Sequence, residues 1–203
     1  MQPFETLTAV AAPIAANNVD TDQIFPARFS SKNRLDGQFG TYFLHDRRFD
    51  RTGAPITDFI LNDPRLQQIG IIVAGANYGA GSGRPGAIFS HLDYGVRAII
   101  AESYGPVFSS AAYKSGLLTI EVGRTEAAAL RDYLLTNLGS SITIDLPHQH
   151  ILAGENRIPF EIDAFVKRII VSGLSEIDLS LGFAEAIGAF EEQQELTRPW
   201  LFA

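Results

Sequence analysis

The 203-residue chain contains no cysteine. That excludes disulfides, thiolate catalysis and an iron–sulfur cluster ligated by this chain alone. Histidine is nearly as scarce. Of His45, His91, His148 and His150, only the last two lie close together, in "PHQH" between two strand-like runs. An H-x-H pair with no third ligand nearby reads as a solvated turn rather than a metal site. Basic residues are in deficit, 16 Lys and Arg against 23 Asp and Glu for a net charge of −7, whereas a duplex nucleic-acid binder needs clustered cations to meet phosphates. No apolar run approaches the roughly 18 residues of a membrane span. The opening "MQPFETLTAV" has no basic-then-apolar leader pattern. A soluble cytoplasmic protein is expected, with no nucleic-acid or membrane partner and no metal or cofactor bound by its own residues.

What the chain has in plenty is core-forming sequence, with 46% apolar and 19% charged residues. A length of 203 residues is long for one domain and short for two. No repeat or low-complexity linker divides it. A single domain over 1–203 is expected, with a loop-rich part over 1–65 and C-terminal helices over 163–203. A strand-like "FETLTAVAA" leads into "PIAANNVDTDQIFPARF", dense in Asn, Asp and Pro as a long ordered loop would be. From Ile69 the texture changes. "IGIIVAG", "VRAIIAE" and "LLTIEV" are β-branched apolar runs suited to strands buried on both faces. "GAIFSHLDYG", "GPVFSSAAYKSG" and "RTEAAALRDYLLTNLG" read as helices following each of them, the last with Thr125 as N-cap and Gly139 past its end. Such alternation implies right-handed crossovers and a parallel sheet.

The pattern then switches. "SITIDL", "HILAG" and "NRIPFEID" follow at close spacing with tight turns, as in an antiparallel layer. Two helices close the chain. "DAFVKRIIVSG" is N-capped by Asp163, and in "LGFAEAIGAFEEQQEL" Phe183, Ile187 and Phe190 repeat at i, i+4, i+7 as an apolar stripe. The expected class is α/β, with mixed parallel and antiparallel sheets and a C-terminal helical arm.

The densest glycine cluster is "GANYGAGSGRPGA", residues 75–87. Its frame Gly81-Ser82-Gly83-Arg84-Pro85-Gly86 matches G-x-G-x-x-G, and Glu102 ends the next strand about 20 residues on, where a ribose-binding acid would stand. Two details oppose a dinucleotide. Gly75 to Ala80 separate the strand from the frame, and Arg84-Pro85 crowds the point where pyrophosphate needs close approach. Another anion suits the residues better, because N–H groups at a helix N-terminus face outward.

Five segments stand in order along the chain: "NVDTDQIFPARF" (Asn18 to Phe29), "GAPITDFILNDP", "VAGANYGAGSGRPGA" (Val73 to Ala87), "DYGVRAIIAESYGPVFSSAAYKSGLLTI" and "AFVKRIIVSGLSEIDLSLGFAEAIGAFEEQQ". On these the sequence resembles, nearly end to end, the small subunits of 3-isopropylmalate dehydratase. The resemblance implies the swivelling domain of the aconitase superfamily, a three-layer β/β/α fold. It also implies a larger, cysteine-bearing partner subunit that holds a [4Fe–4S] cluster, and a small dicarboxylate substrate. A chain without cysteine fits that division of labour. The family loop usually reads G-S-S-R-E-H-A. Aligned on it, Ser82 falls on the serine that acts as base and Arg84 on the arginine that grips a substrate carboxylate. Asp22 falls on an aspartate lining the same site. Gly83, next to the base, and Arg28 in "PARF" are further substrate-binding candidates.

The implied chemistry removes a proton beside a carboxylate and expels hydroxide from the neighbouring carbon, iron serving as Lewis acid. A serine hydroxyl is a useful base only where its alkoxide is stabilised; a helix N-terminus, backbone N–H groups and a guanidinium can each contribute. Arg84 can hold a carboxylate bidentately and fix the carbon beside Ser82. The loop departs from the family pattern at Gly83, Pro85 and Gly86, in place of Ser, Glu and His, and Ala80 stands where many relatives have cysteine. The leading expectation is isomerisation of 2-isopropylmalate to 3-isopropylmalate in leucine biosynthesis. A 2-methylmalate or other alkylmalate dehydratase and a non-catalytic partner domain remain open. Structural alternatives remain for each residue: Ser82 as a helix cap, Arg84 paired with a surface acid such as Asp93 or Glu102, Asp22 in an Asx-turn.

Overall fold

The structure is a computed structural model that describes residues 2–202. Its seven strands form a sheet in the order β4-β3-β2-β1-β5-β6-β7. The pivot is β1 (Thr6–Ile14), whose two halves serve different partners. Ala11 to Ile14 run parallel to β2 (Ile71–Ala74), followed in parallel by β3 (Ala98–Ala101) and β4 (Leu118–Glu121). Thr6 to Val10 pair antiparallel with β5 (Ser141–Asp145), continued by β6 (His150–Ala153) and β7 (Asn156–Pro159). Every expected strand forms. β1 starts two residues later than its pattern suggests and runs on to Ile14, whose side chain is buried.

Helices α1 (Thr21–Ile24) and α2 (His45–Arg48) are single turns within the loop-rich N-terminal part. α3 (Pro85–Tyr94), α4 (Pro106–Lys114) and α5 (Arg124–Thr136) follow β2, β3 and β4 in turn. Strand residues alternate between two cores, as the pleat dictates. On one face Ile72, Ala74 and Ile99 pack with Ile88 of α3, Phe108 of α4 and Phe25 and Phe43 of the N-terminal part. On the other, Ile71, Val73 and Ile100 pack with Leu130 and Leu134 of α5 and with Ile142, Ile144 and Ile151 of the antiparallel strands. The antiparallel part thus folds over one face of the parallel part while α3 and α4 cover the other, which is the β/β/α layering implied by the resemblance. Each fully buried aliphatic side chain contributes about 1.5–3 kcal/mol to this arrangement.

Three details differ from expectation. α5 starts at Arg124 with Gly123 as its N-cap, so Thr125 lies inside the first turn and caps nothing. The closing helices number three, α6 (Ala164–Ser172), α7 (Glu176–Leu181) and α8 (Ala184–Thr197). Asp163 caps α6 as expected, and a reciprocal Ser175–Asp178 capping box starts the additional α7. The stripe at the last helix stays out of the core: Phe183, Ile187 and Phe190 are 56%, 43% and 60% exposed.

Candidate active site

Two loops meet beyond the C-terminal ends of β1 and β2. One runs from β1 into α1, the other from β2 into α3. They are joined rung by rung. Asn18 N donates to Ala76 O at 2.9 Å, Gly79 N to Val19 O at 2.8 Å and Thr21 N to Ala80 O at 2.9 Å, with a parallel bridge between Asp20 and Ala80. Asparagine side chains add to the seam: Asn17 Oδ1 accepts from Ala76 N, and Asn77 Nδ2 donates to Asn18 Oδ1, both at 2.8 Å. Asp20 caps α1, accepting from Gln23 N at 2.7 Å. Behind the seam, His91 Nδ1–H donates to Ala87 O at 2.6 Å, which leaves Nε2 to accept the Tyr78 hydroxyl at 2.8 Å. Burial holds this imidazole neutral, its pKa pushed down to about 4, and pushes the Tyr78 phenol up.

The seam opens into a cleft of about 330 Å³, lined by Asp20, Thr21, Asp22, Gly81, Ser82 and Arg84 together with Ala80. Two side-chain pairs cross it side by side. Thr21 Oγ1 and Ser82 Oγ are 2.7 Å apart, and Arg84 Nη2 lies 2.6 Å from Asp22 Oδ1. Gly81, at φ +95°, makes the left-handed turn that presents Ser82. Ser82, Arg84 and Asp22 therefore share one site at the N-terminus of α3. Of the structural alternatives, pairing with a surface acid holds for Arg84, its partner being Asp22 rather than Asp93 or Glu102. The N-cap of α3 is Arg84, with no side-chain cap bond, and the carboxylate that caps α1 belongs to Asp20. Asp93 pairs with Arg34 at 2.6 Å, and Glu102 with Arg131 at 2.8 Å. Arg131 also donates to Ala74 O at the end of β2, so Glu102 serves the strand ends rather than a ribose. A partly exposed pair such as Arg84–Asp22 contributes at most about 1 kcal/mol. Arg84 can therefore exchange Asp22 for another carboxylate at little cost.

Arg28 stands apart from this cleft. It makes a two-point ion pair with Asp46, Nη1 donating to Oδ2 at 2.7 Å, and its guanidinium lies 4.4 Å from the centre of the Phe29 ring. The bond from Arg28 pulls the Asp46 carboxyl below the usual carboxylate range. Both line a larger cleft of about 850 Å³ with Phe29, His45, Phe49 and Arg51, where Arg28 and Asp46 are already matched to each other. Gly83 does not line the Ser82 cleft. A Cβ on it would stand 2.8 Å from Val107 Cγ1 and 2.9 Å from Val107 O, and one on Gly86 would stand 2.7 Å from the Phe25 ring. α4 and Phe25 occupy the room that the serine and histidine of the family loop would need. Pro85 is simply the first residue of α3, where a missing N–H costs nothing.

Sequence reasoning passed over Thr21, the Tyr78–His91 pair and Arg131. Thr21 sits between the two aspartates of "DTD", and nothing in one sequence says which of the three turns toward Ser82. Among the described residues, no group of three His, Cys, Asp or Glu side chains is placed to hold a metal ion, and no helix is long and apolar enough to cross a membrane.

Comparison with known proteins completes the picture. Residues 1–125 match the aconitase C-terminal domain, and residues 176–203 match the C-terminal domain of the 3-isopropylmalate dehydratase small subunit. The chain is 37% identical over 202 residues to the 3-isopropylmalate dehydratase small subunit of Dinoroseobacter shibae, covering 99% of this chain and 100% of that protein. It is 38% identical, with the same coverage, to that of Jannaschia sp.. Among solved structures, 3-isopropylmalate dehydratase from Methanocaldococcus jannaschii superposes with a TM-score of 0.64 over 92% of this chain and 99% of that one. At 20% identity this likeness speaks for the fold.

Proposed function

The chain belongs to the family of 3-isopropylmalate dehydratase small subunits, and on that premise we propose that it is the small subunit of a cytoplasmic hydro-lyase. The enzyme interconverts 2-isopropylmalate and 3-isopropylmalate in leucine biosynthesis. The names of the relatives favour this substrate over 2-methylmalate. One observation carries the reading to the atoms: Ser82 and Arg84 stand together in a cleft at the N-terminus of α3, each with a side-chain partner from the facing loop.

In this reading Arg84 leaves Asp22 to take a carboxylate of the substrate in a two-point grip. The carbon beside that carboxylate then lies against Ser82 Oγ, which takes its proton. The C–H electron pair becomes the second bond of the alkene as hydroxide leaves the neighbouring carbon. Rehydration with the opposite regiochemistry returns the proton from Ser82. This chain has no thiolate and no ligand cluster among its described residues, so its residues do not fit an iron–sulfur cluster. We assign the [4Fe–4S] cluster, which supplies Lewis acidity to the departing oxygen, to a cysteine-bearing large subunit. The exposed apolar side chains of α7 and α8 support assembly with such a partner.

The test is co-expression with the cognate large subunit, anaerobic cluster reconstitution and a spectrophotometric assay on a panel of alkylmalates. Turnover highest on 2-isopropylmalate is expected. A complex that assembles and turns over only 2-methylmalate would reassign the substrate, and one that turns over none would end the enzymatic reading.

A further inference from the structure

Apart from the hydroxyls of Tyr78 and Tyr104, Thr21, Ser90 and His91 carry the buried polar side chains among the described residues. Ser90 and His91 each have a partner inside α3, the carbonyl of Ala87, and so help hold that helix together. Thr21 is different. Its side chain is 2% exposed, yet its hydroxyl makes no bond within its own helix and points instead across the loop seam, 2.7 Å from Ser82 Oγ. No other partner of that hydroxyl exists among the described residues. Its position is set by backbone on both sides: Thr21 N donates to Ala80 O, Phe25 N donates to Thr21 O, and Asp20 caps the turn on which it stands.

From this contact, and resting on the functional reading above, we infer that Thr21 is the positioning residue of the base: it donates its hydroxyl proton to Ser82 Oγ and stabilises the alkoxide that abstracts the substrate's proton. A hydroxyl oxygen that is to accept a proton from carbon cannot at that moment donate one. The polarity of the Thr21–Ser82 bond is therefore fixed in the reactive state, with Thr21 as donor. Thr21 keeps its own proton throughout. Ser82 first loses its own proton to solvent, the ionisation that the ascending pH limb reads. The proton from carbon then ends on Ser82, which becomes a neutral hydroxyl, and the bond from Thr21 weakens from a charge-assisted to an ordinary one. A donor whose bond is strongest with the anion favours the alkoxide, as oxyanion-hole donors do. The neighbouring Arg84–Asp22 pair is then free to serve the carboxylate, and the two pairs divide the work.

The experiment uses the assembled two-subunit enzyme with Thr21→Val, which keeps shape and removes the hydroxyl, and Thr21→Ser, which restores it. The expected result for Thr21→Val is a kcat lower by roughly 10- to 100-fold with KM nearly unchanged. The ascending limb of kcat against pH should move upward by about one to two units, because the alkoxide has lost a charge-assisted bond. Thr21→Ser should return both toward wild type. Thr21→Ala removes the same hydroxyl and carries the same expectation should Thr21→Val fail to assemble. An unmoved pH limb in an assembled Thr21→Val or Thr21→Ala enzyme would overturn the inference and leave Thr21 a packing residue, even if kcat fell. Full activity in Thr21→Val beside an inactive Ser82→Ala would overturn it while leaving the functional reading intact. Full activity in Ser82→Ala would end that reading and take this inference with it.

Discussion

Arg84 and Gly83 are neighbours in sequence with opposite tolerances. Arg84 is one-third exposed and paired across the cleft to Asp22. Arg84→Lys keeps the charge but loses the two-point grip, so kcat/KM should fall roughly 10- to 100-fold, chiefly through KM, with thermal stability unchanged; steady-state kinetics and a melting curve check both. Gly83→Ser restores the hydroxyl usual in the family loop but drives its Cβ into Val107. Overpacking of this kind costs about 1–3 kcal/mol, so denaturant unfolding should show a destabilised protein rather than an improved enzyme. That Ser82, Arg84 and Asp22 meet in one cleft was legible in the sequence, because each sits in a motif that the family resemblance aligns. Thr21 was not. Its role depends on which side chain of a single helical turn crosses a seam between segments about sixty positions apart, and only folding decides that. Arg28 carries a related lesson: an arginine in a functional motif still takes the nearest carboxylate, here Asp46.

Buried strands and their helices were legible because apolar runs, glycines and prolines mark them locally. The caps were harder, since a two-residue shift moves the N-cap of α5 from the expected Thr125 to Gly123. Least legible was how α3 is tied down. Phe43 and Phe108 enclose His91, and the imidazole joins Tyr78 to Ala87. With its pKa pushed by burial from 6.5 to about 4, folded His91 binds fewer protons than the unfolded chain between those values. Stability is therefore fully present above pH 6.5 and falls as the pH drops toward 4, by on the order of 3 kcal/mol. Asp63, held down to about 2 by Arg65, lies outside this window, because its contribution is lost only below its unfolded value of 3.8. Urea unfolding from pH 7 to 4 should show the loss, and His91→Gln should flatten it. An unchanged slope would place the titration elsewhere.

For the molecule as a whole, the β/β/α core and the helical arm obey different rules. The core closes on itself through two apolar faces of one sheet. The arm leaves Ile177, Leu181, Phe183, Ile187, Phe190 and Trp200 exposed, and sequence periodicity could show the stripe without showing what covers it. Phe183→Glu with Phe190→Glu should leave the isolated chain's melting point within the small range of surface substitutions, yet release the large subunit in co-purification. A complex that survives both charges would move the interface off the arm. In the proposed function the Ser82 cleft is half of a site, completed by assembly with the large subunit. The most direct measurement is the turnover of 2-isopropylmalate by the reconstituted two-subunit enzyme carrying Ser82→Ala, with assembly of the two subunits monitored in parallel. A rate reduced by roughly 10²- to 10⁴-fold in a complex that still assembles is predicted, and wild-type turnover in that complex would contradict the placement of the base at Ser82.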